Sequence, residues 1–270
     1  MCEFCSSHGD GRIWYKNAAN YARDLLNDLD RRHFIENFFH STIGEGYNGL
    51  LRLEALYRKK KRLPLSLVDQ MEKKAKKEHF GQILPIEEVE EVLRRADLIV
   101  RMPCACRYSA SRREYRCCYG ISHSAGQWFS EMDFSYFGKP DSAGLERVTG
   151  DEAMTQMRQL EQNGAVHSIW TMVTPFIGAI CNCTPADCLA LRSRALTIET
   201  VFPAEHAARV DEKKCNGCGK CLKRCQFDAI GSRHTAEKTV AVIDRERCVG
   251  CGLCRNACRR QAIAMEMRQA

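Results

Sequence analysis

Residues 215–225 read CNGCGKCLKRC, and residues 248–258 read CVGCGLCRNAC. Each run is Cys-x2-Cys-x2-Cys-x3-Cys, and the second begins thirty-three residues after the first. The repeat extends past the cysteines. CQFDAI (225–230) and CRRQAI (258–263) both place Ala-Ile four and five residues after the last cysteine, where the pairs would pack as a shared core. TVAVID (239–244) reads as a strand leading into the second run. Gly217, Gly219, Gly250 and Gly252 stand inside the runs, where backbone wrapped closely round a bound group needs room and unusual dihedrals. Two four-cysteine zinc sites would also use eight thiols, but zinc sites favour separated Cys-x2-Cys pairs over a continuous x2-x2-x3 run.

This region, roughly residues 206–265, resembles the two-cluster bacterial ferredoxins. The resemblance implies that three cysteines of each run wrap one [4Fe–4S] cubane while the fourth reaches across to the other. Cys215, Cys218, Cys221 and Cys258 would hold one cluster, and Cys248, Cys251, Cys254 and Cys225 the other. It also implies one-electron transfer at two closely spaced centres. The proline that usually follows the fourth cysteine is Gln226 in one copy and Arg259 in the other. Each change leaves a backbone N–H near a cluster, and Arg259 adds positive charge; such changes shift a potential rather than abolish binding. A second resemblance covers nearly the whole chain. CEFCSSHGDGRIWY (2–15), MPCACR (102–107), GAVHSIWTMVTPFIGAICNC (164–183) and KKCNGCGKC (213–221) are similar to segments of cysteine-rich 4Fe–4S binding proteins from anaerobic bacteria and archaea. In that group a cysteine-rich domain precedes a two-cluster ferredoxin.

The remaining 200 or so residues are long enough to bury a core of their own. With 44% hydrophobic and 28% charged residues, no run approaches the length of apolar sequence that a membrane span needs. The N-terminus lacks the basic start and apolar stretch of a secretory signal, so a cytoplasmic protein is expected. In a reducing compartment, seventeen cysteines point to thiolate-bound metal rather than disulfides. Most of the net charge of +7 sits between Arg52 and Glu78, where ten basic residues face four acidic ones, a net +6. This 52–78 segment reads as a solvated helical face or as a docking surface for an acidic redox partner. No aromatic interleaving or nucleic-acid motif accompanies it, so no nucleic-acid partner is expected.

Apolar positions from Trp14 to Arg32 recur at helical spacing and predict an amphipathic helix. Further helices are expected over 50–62, 66–79 and from Pro85, followed by a strand at LIVRM (98–102). The stretch 119–150 reads as irregular, and GEGYNG (44–49) as a turn. Thr149 or Asp151 would cap a helix ending at Asn163-Gly164, and AVHSIWTMV would form a second strand leading into PFIGAICNC. The fold class expected is α+β: a mainly helical N-terminal region (1–97), a cysteine-rich mixed domain (98–204) and a ferredoxin-like dicluster domain (205–270).

Nine cysteines are left once the two runs are set aside. Cys104/Cys106 and Cys181/Cys183 are Cys-x-Cys pairs, each expected after a strand, and together they would present four thiolates at one end of two neighbouring elements. They form the core of a candidate additional iron–sulfur centre, with Cys117 and Cys188 next and Cys118 in the same region; zinc or structural thiols are the alternatives. Arg107 and Arg192 would bond cluster sulfurs or make surface salt bridges, and His123 and His167 are alternative ligands. Cys2, Cys5 and His8 have metal-site spacing but need a fourth ligand from elsewhere, such as Cys117 or Cys118.

Dinucleotide loops, phosphate loops and HExxH motifs are lacking. The chain is expected to be an iron–sulfur electron-transfer protein or the redox subunit of an anaerobic oxidoreductase, with two [4Fe–4S] clusters, an additional cluster and a redox partner protein. The alternatives are an enzyme whose middle cluster binds substrate, fed by the ferredoxin domain, and a cluster-based redox sensor or scaffold.

Overall fold

The computed structural model describes residues 13–123, 128–138 and 144–268. Cys2, Cys5 and His8 lie outside the described residues. The predicted helix over 14–32 does not form. Residues 14–27 fold instead into three short 3-10 turns, and the first α-helix, α1, spans Leu29–Glu36. Two side chains explain the break. Asn17 accepts from the Ala19 N–H and Asp28 from the Arg31 N–H, each offering the backbone a cap where a helix would continue. The turns seat Trp14, Tyr15 and Tyr21 in the core, where all three are almost wholly buried.

A π-helical stretch over Phe38–Gly44 runs into α2 (Glu45–Lys60), so GEGYNG is helical rather than a turn. Then follow α3 (Leu65–Glu78), β1 (Gly81–Leu84), α4 (Ile86–Arg94), β2 (Leu98–Pro103), α5 (Ala105–Ser111) and β3 (Arg116–Ser122). The latter part of β3 and the short β4 (Glu146–Val148) are ordered structure inside the stretch read as irregular. The helix expected near Thr149 is α6 (Gly150–Gln162). Thr149 and Glu152 close its N-terminus as a reciprocal capping box, and Gly164 at φ +98° leads the chain out of its far end. β5 (Val166–Thr171), β6 (Ile177–Cys183), α7 (Leu189–Arg194) and β7 (Val201–Phe202) complete this part.

The seven strands form one mixed sheet in the order β4-β2-β3-β6-β5-β1-β7. Every neighbouring pair is antiparallel except β1 and β7. Because β2 and β6 both pair antiparallel with β3, they run parallel to each other on either side of it. Their C-terminal ends and the start of β3 therefore share one end of the sheet, together with the start of β5 and the ends of β1 and β7. Side chains alternate between two cores, as the period of two requires. On one face Val100, Met102, Ala179 and Trp170 pack with Phe38, Phe39, Trp128 and Phe137. On the other, Ile99, Ile121, Ile169 and Ile180 pack under Val89 and Val92 of α4 and Ala153 and Met157 of α6. The fold class is α+β.

The C-terminal unit is built from two short antiparallel sheets, β8 (His206–Val210) with β11 (Ile263–Met267) and the hairpin of β9 (Ile230–His234) with β10 (Thr239–Ile243). Helices α8 (Lys220–Arg224) and α9 (Leu253–Asn256) carry the later cysteines. Ala229 and Ile263 of the two Ala-Ile pairs are buried together with Cys221, Cys248 and Cys254.

Candidate metal centres

In the C-terminal unit each cysteine run is shaped by two left-handed glycines. Gly217 and Gly219 lie at φ +69°, Gly250 at φ +75° and Gly252 at φ +80°. At two of them close packing forbids a side chain as well. A Cβ on Gly217 would sit 2.5 Å from the Thr239 carbonyl oxygen, and one on Gly250 would sit 2.1 Å from that of His206. A cavity of about 140 Å3 is lined by Cys215, Cys218 and Cys221 of the first run and Cys258 of the second. On the other side, the thiols that bear on Cys254 include Cys251, Cys248 and Cys225. Burial pushes the thiols of Cys251 and Cys254 up to about 12, so thiolate there calls for compensating metal charge.

Residues 208–265 match the family model of the 4Fe-4S dicluster domain. The C-terminus is thus a ferredoxin-type iron–sulfur domain, and an iron–sulfur electron-transfer role goes with it. No curated protein matches the chain. No helix among the described residues is long and apolar enough to cross a membrane.

The dicluster domain is fastened to the sheet end described above. Arg224 donates to the carbonyls of Glu161 and Gln162 at 2.6 and 2.5 Å, placing a positive charge at the C-terminal end of α6. Gln226, where proline is usual, donates from Nε2 to the Gly164 carbonyl at 2.6 Å. Arg255 pairs with Glu87 at 2.7 Å, and the Ala204 N–H donates to the Val249 carbonyl.

At the same end of the sheet, seven thiols line a cavity of about 1710 Å3: Cys104, Cys106, Cys117, Cys118, Cys181, Cys183 and Cys188. Cys104 follows β2 and Cys106 begins α5. Cys117 and Cys118 open β3, Cys181 and Cys183 end β6, and Cys188 precedes α7. Cys118 stands opposite Cys181 in the ladder, with Sγ atoms 3.7 Å apart. The Sγ atoms of Cys104, Cys117 and Cys118 lie within 4.8 Å of one another. Hydrogen bonds from Cys106, Cys117, Cys118 and Cys183 hold the Cys104 thiol well below its ordinary range. All six cysteines expected at a middle centre are here, and Cys118 joins them in the tightest group.

The two arginines divide. Arg107 donates to Cys183, lies beside Cys117, pairs with Asp187 at 3.1 Å and stacks on Tyr115 at 4.1 Å. Arg192 instead pairs with Glu54 at 2.7 Å and does not serve the thiols. His123 sits at the opposite end of β3, stacked on Tyr21 at 3.9 Å. Residues that motif reading passed over build the rest of the cavity wall: Phe34, Phe38 and Phe39, and His79, which stacks on Trp170 at 4.7 Å. His79 Nδ1–H donates to the Thr171 carbonyl at 2.5 Å, and burial holds its ring down to about 4. Lys73, Lys74, Lys76 and Lys77 of the basic segment also line the cavity.

A line of polar side chains lies between the two cysteine-rich sites, with a gap between His167 Nε2 and Glu161 Oε1, neither of which has a hydrogen-bond partner. Asn182, between Cys181 and Cys183, donates from Nδ2 to the Cys117 carbonyl at 2.8 Å, which turns its Oδ1 toward His167 Nδ1 at 2.5 Å. His167 Nε2 lies 4.0 Å from Glu161, and Glu161 accepts from Asn256 on α9, two residues beyond Cys254. Burial holds His167 down to about 4, so its ring is neutral near pH 7, and burial pushes Glu161 up from the ordinary carboxylate range.

A histidine depressed in this way binds its proton in the unfolded chain first. Its contribution is therefore present above about pH 6.5 and lost as pH falls toward about 4. Glu161 acts in the opposite sense, so a variant must isolate the histidine. The pH dependence of stability in wild type should exceed that of His167→Gln over this range by about 3 kcal/mol, measured by denaturant unfolding.

Proposed function

We propose that this chain carries electrons between a two-cluster ferredoxin domain and a metal centre held by the seven-thiol site. In the dicluster domain, Cys215, Cys218, Cys221 and Cys258 would hold one [4Fe–4S] cluster and Cys248, Cys251, Cys254 and Cys225 the other, each run lending its fourth cysteine to its neighbour. When bound, the clusters supply one-electron redox chemistry. The chain's own part is to fix their positions, keep water from them and connect them.

The observation that carries the reading is the shared end of the sheet. The seven thiols and the dicluster domain sit at that one end, with the buried Asn182, His167 and Glu161 and the exposed Asn256 standing between them. Arg107 beside Cys183 and Cys117 would offset thiolate charge at the middle centre. The exposed lysines and arginines between Arg52 and Glu78 give an acidic redox partner a place to dock. The cysteine-rich 98–204 region would be the second metal-binding unit ahead of the ferredoxin domain at 205–270, and it shares its sheet and core with β1 and α4 of the 1–97 region.

A second reading, an enzyme whose middle centre acts on a substrate, is favoured by the cavity itself. At about 1710 Å3 it exceeds the roughly 300–1,000 Å3 of ordinary ligand pockets, so space beyond that of a metal centre fronts the thiols.

Iron and acid-labile sulfide per chain after anaerobic purification test the proposal. More than about eight irons, falling to about eight in a Cys181→Ser, Cys183→Ser variant, is the expected result. About eight irons in both proteins, with no other metal lost, would leave the middle region without a redox centre.

A further inference from the structure

We propose that His167 and Glu161 form a proton site that serves the ferredoxin domain, taking up one proton when the cluster assigned above to Cys225, Cys248, Cys251 and Cys254 gains an electron. The proposal rests on that ligand assignment and does not need a metal centre at the seven thiols.

The tautomer of His167 follows from its neighbour. Asn182 Nδ2 donates to the Cys117 carbonyl, so its Oδ1 is left to accept, and His167 Nδ1 carries the ring proton. Nε2 is then a bare lone pair, and it faces Glu161 Oε1 across 4.0 Å. Both atoms are buried, and neither has a hydrogen-bond partner. With Glu161 ionised, the two are acceptors that cannot bond each other, and leaving both unpaired in the core is costly. A single proton between them makes one of them a donor. Closing the pair to about 2.8 Å would then satisfy both atoms at once.

Glu161 is held from the flanks of two ligands of the same cluster. Arg224, next to Cys225, donates to its backbone carbonyl, and Asn256, two residues after Cys254, donates to its carboxylate. An electron added to that cluster makes the potential at the end of α6 more negative, which favours a proton between Glu161 and His167. The surrounding charges leave that response intact. Glu87 of α4 bears on both groups, while Arg255 of α9 and Arg158 of α6 bear on Glu161. Glu87 pairs with Arg255 at 2.7 Å and Arg158 with Glu90 at 3.1 Å, so each of these charges has an opposite one beside it. β1 sets only Leu84 opposite His167, and β6 presents the neutral Asn182, because Cys181 and Cys183 alternate to the other face of the sheet. Asn256 is exposed, so solvent can supply the proton at the Glu161 end. The step balances: the cluster takes one electron from its reductant, and the pair takes one proton from water.

An EPR-monitored anaerobic redox titration of the full chain, repeated from mildly acidic to mildly alkaline pH, tests the proposal. One of the two clusters should show a potential that falls as pH rises, by up to about 59 mV for each tenfold fall in proton activity, the limit for one proton per electron. In His167→Gln that dependence should vanish with iron and sulfide unchanged. It should also vanish in Glu161→Gln, whose amide can donate to Nε2 and occupy the lone pair. Potentials independent of pH in wild type, or a dependence retained in both variants, would overturn the proposal. Proton uptake on reduction, read from an indicator dye in weakly buffered wild-type protein, needs no variant; up to one proton per chain is expected, and none would overturn the proposal. Loss in Cys225→Ala of the cluster wrapped by the first run would instead sink the ligand assignment on which it rests.

Discussion

Cys258→Ala should remove the cluster wrapped by the first cysteine run, although residue 258 belongs to the second. The full chain should lose about four irons, and the remaining dicluster signal should match that of Cys218→Ala rather than that of Cys251→Ala. The reason is spatial: Cys258 lines the same small cavity as Cys215, Cys218 and Cys221, while Cys225 bears on Cys254 and Cys251. Cys225→Ala should show the reciprocal pattern. EPR of the reduced proteins, read beside iron content, distinguishes the crossed arrangement from an uncrossed one, in which Cys258→Ala would resemble Cys251→Ala.

Gly250→Ala should be among the most damaging single substitutions outside the cysteines. Its Cβ would lie 2.1 Å from the His206 carbonyl oxygen and 2.8 Å from the Ala204 Cβ, at a backbone φ of +75°. Neither neighbour is a flexible side-chain end, so the loop itself must move. Strain and overpacking together should cost about 3 kcal/mol or more and loosen the second run. Gly219→Ala is the matched control. Its φ of +69° is similar, but nothing lies within 4 Å of the new carbon, so only the dihedral penalty of about 1 kcal/mol is expected. Denaturant unfolding and cluster retention of the two variants, side by side, measure the difference.

Much of this chain is legible locally. The two x2-x2-x3 runs mark the iron–sulfur domain, Thr149 with Glu152 marks the start of α6, and LIVRM marks β2. What was hidden is long-range. Cys118 gains its place in the tightest thiol group because β3 inserts between β2 and β6, and its pairing with Cys181 sixty-three residues away has no local signature. The approach to PFIGAICNC likewise conceals a hairpin, so the cysteines lie on β6 rather than directly after β5. Apolar spacing alone suggested a helix at 14–32, but Asn17 and Asp28 redirect the backbone, and the buried aromatic rings then hold the turns. The aromatic side of the large cavity carries no motif. His79 and Phe38 acquire meaning only when the fold sets them beside the thiols.

An anaerobic reductive titration of the full chain followed by EPR tests the central claim most directly. Two neighbouring [4Fe–4S] clusters that each accept one electron should give a spin-coupled spectrum once both are reduced, with a further signal or metal-centred band altered by the Cys181→Ser, Cys183→Ser variant. A spectrum of one isolated cluster at full reduction, identical in wild type and variant, would contradict the account.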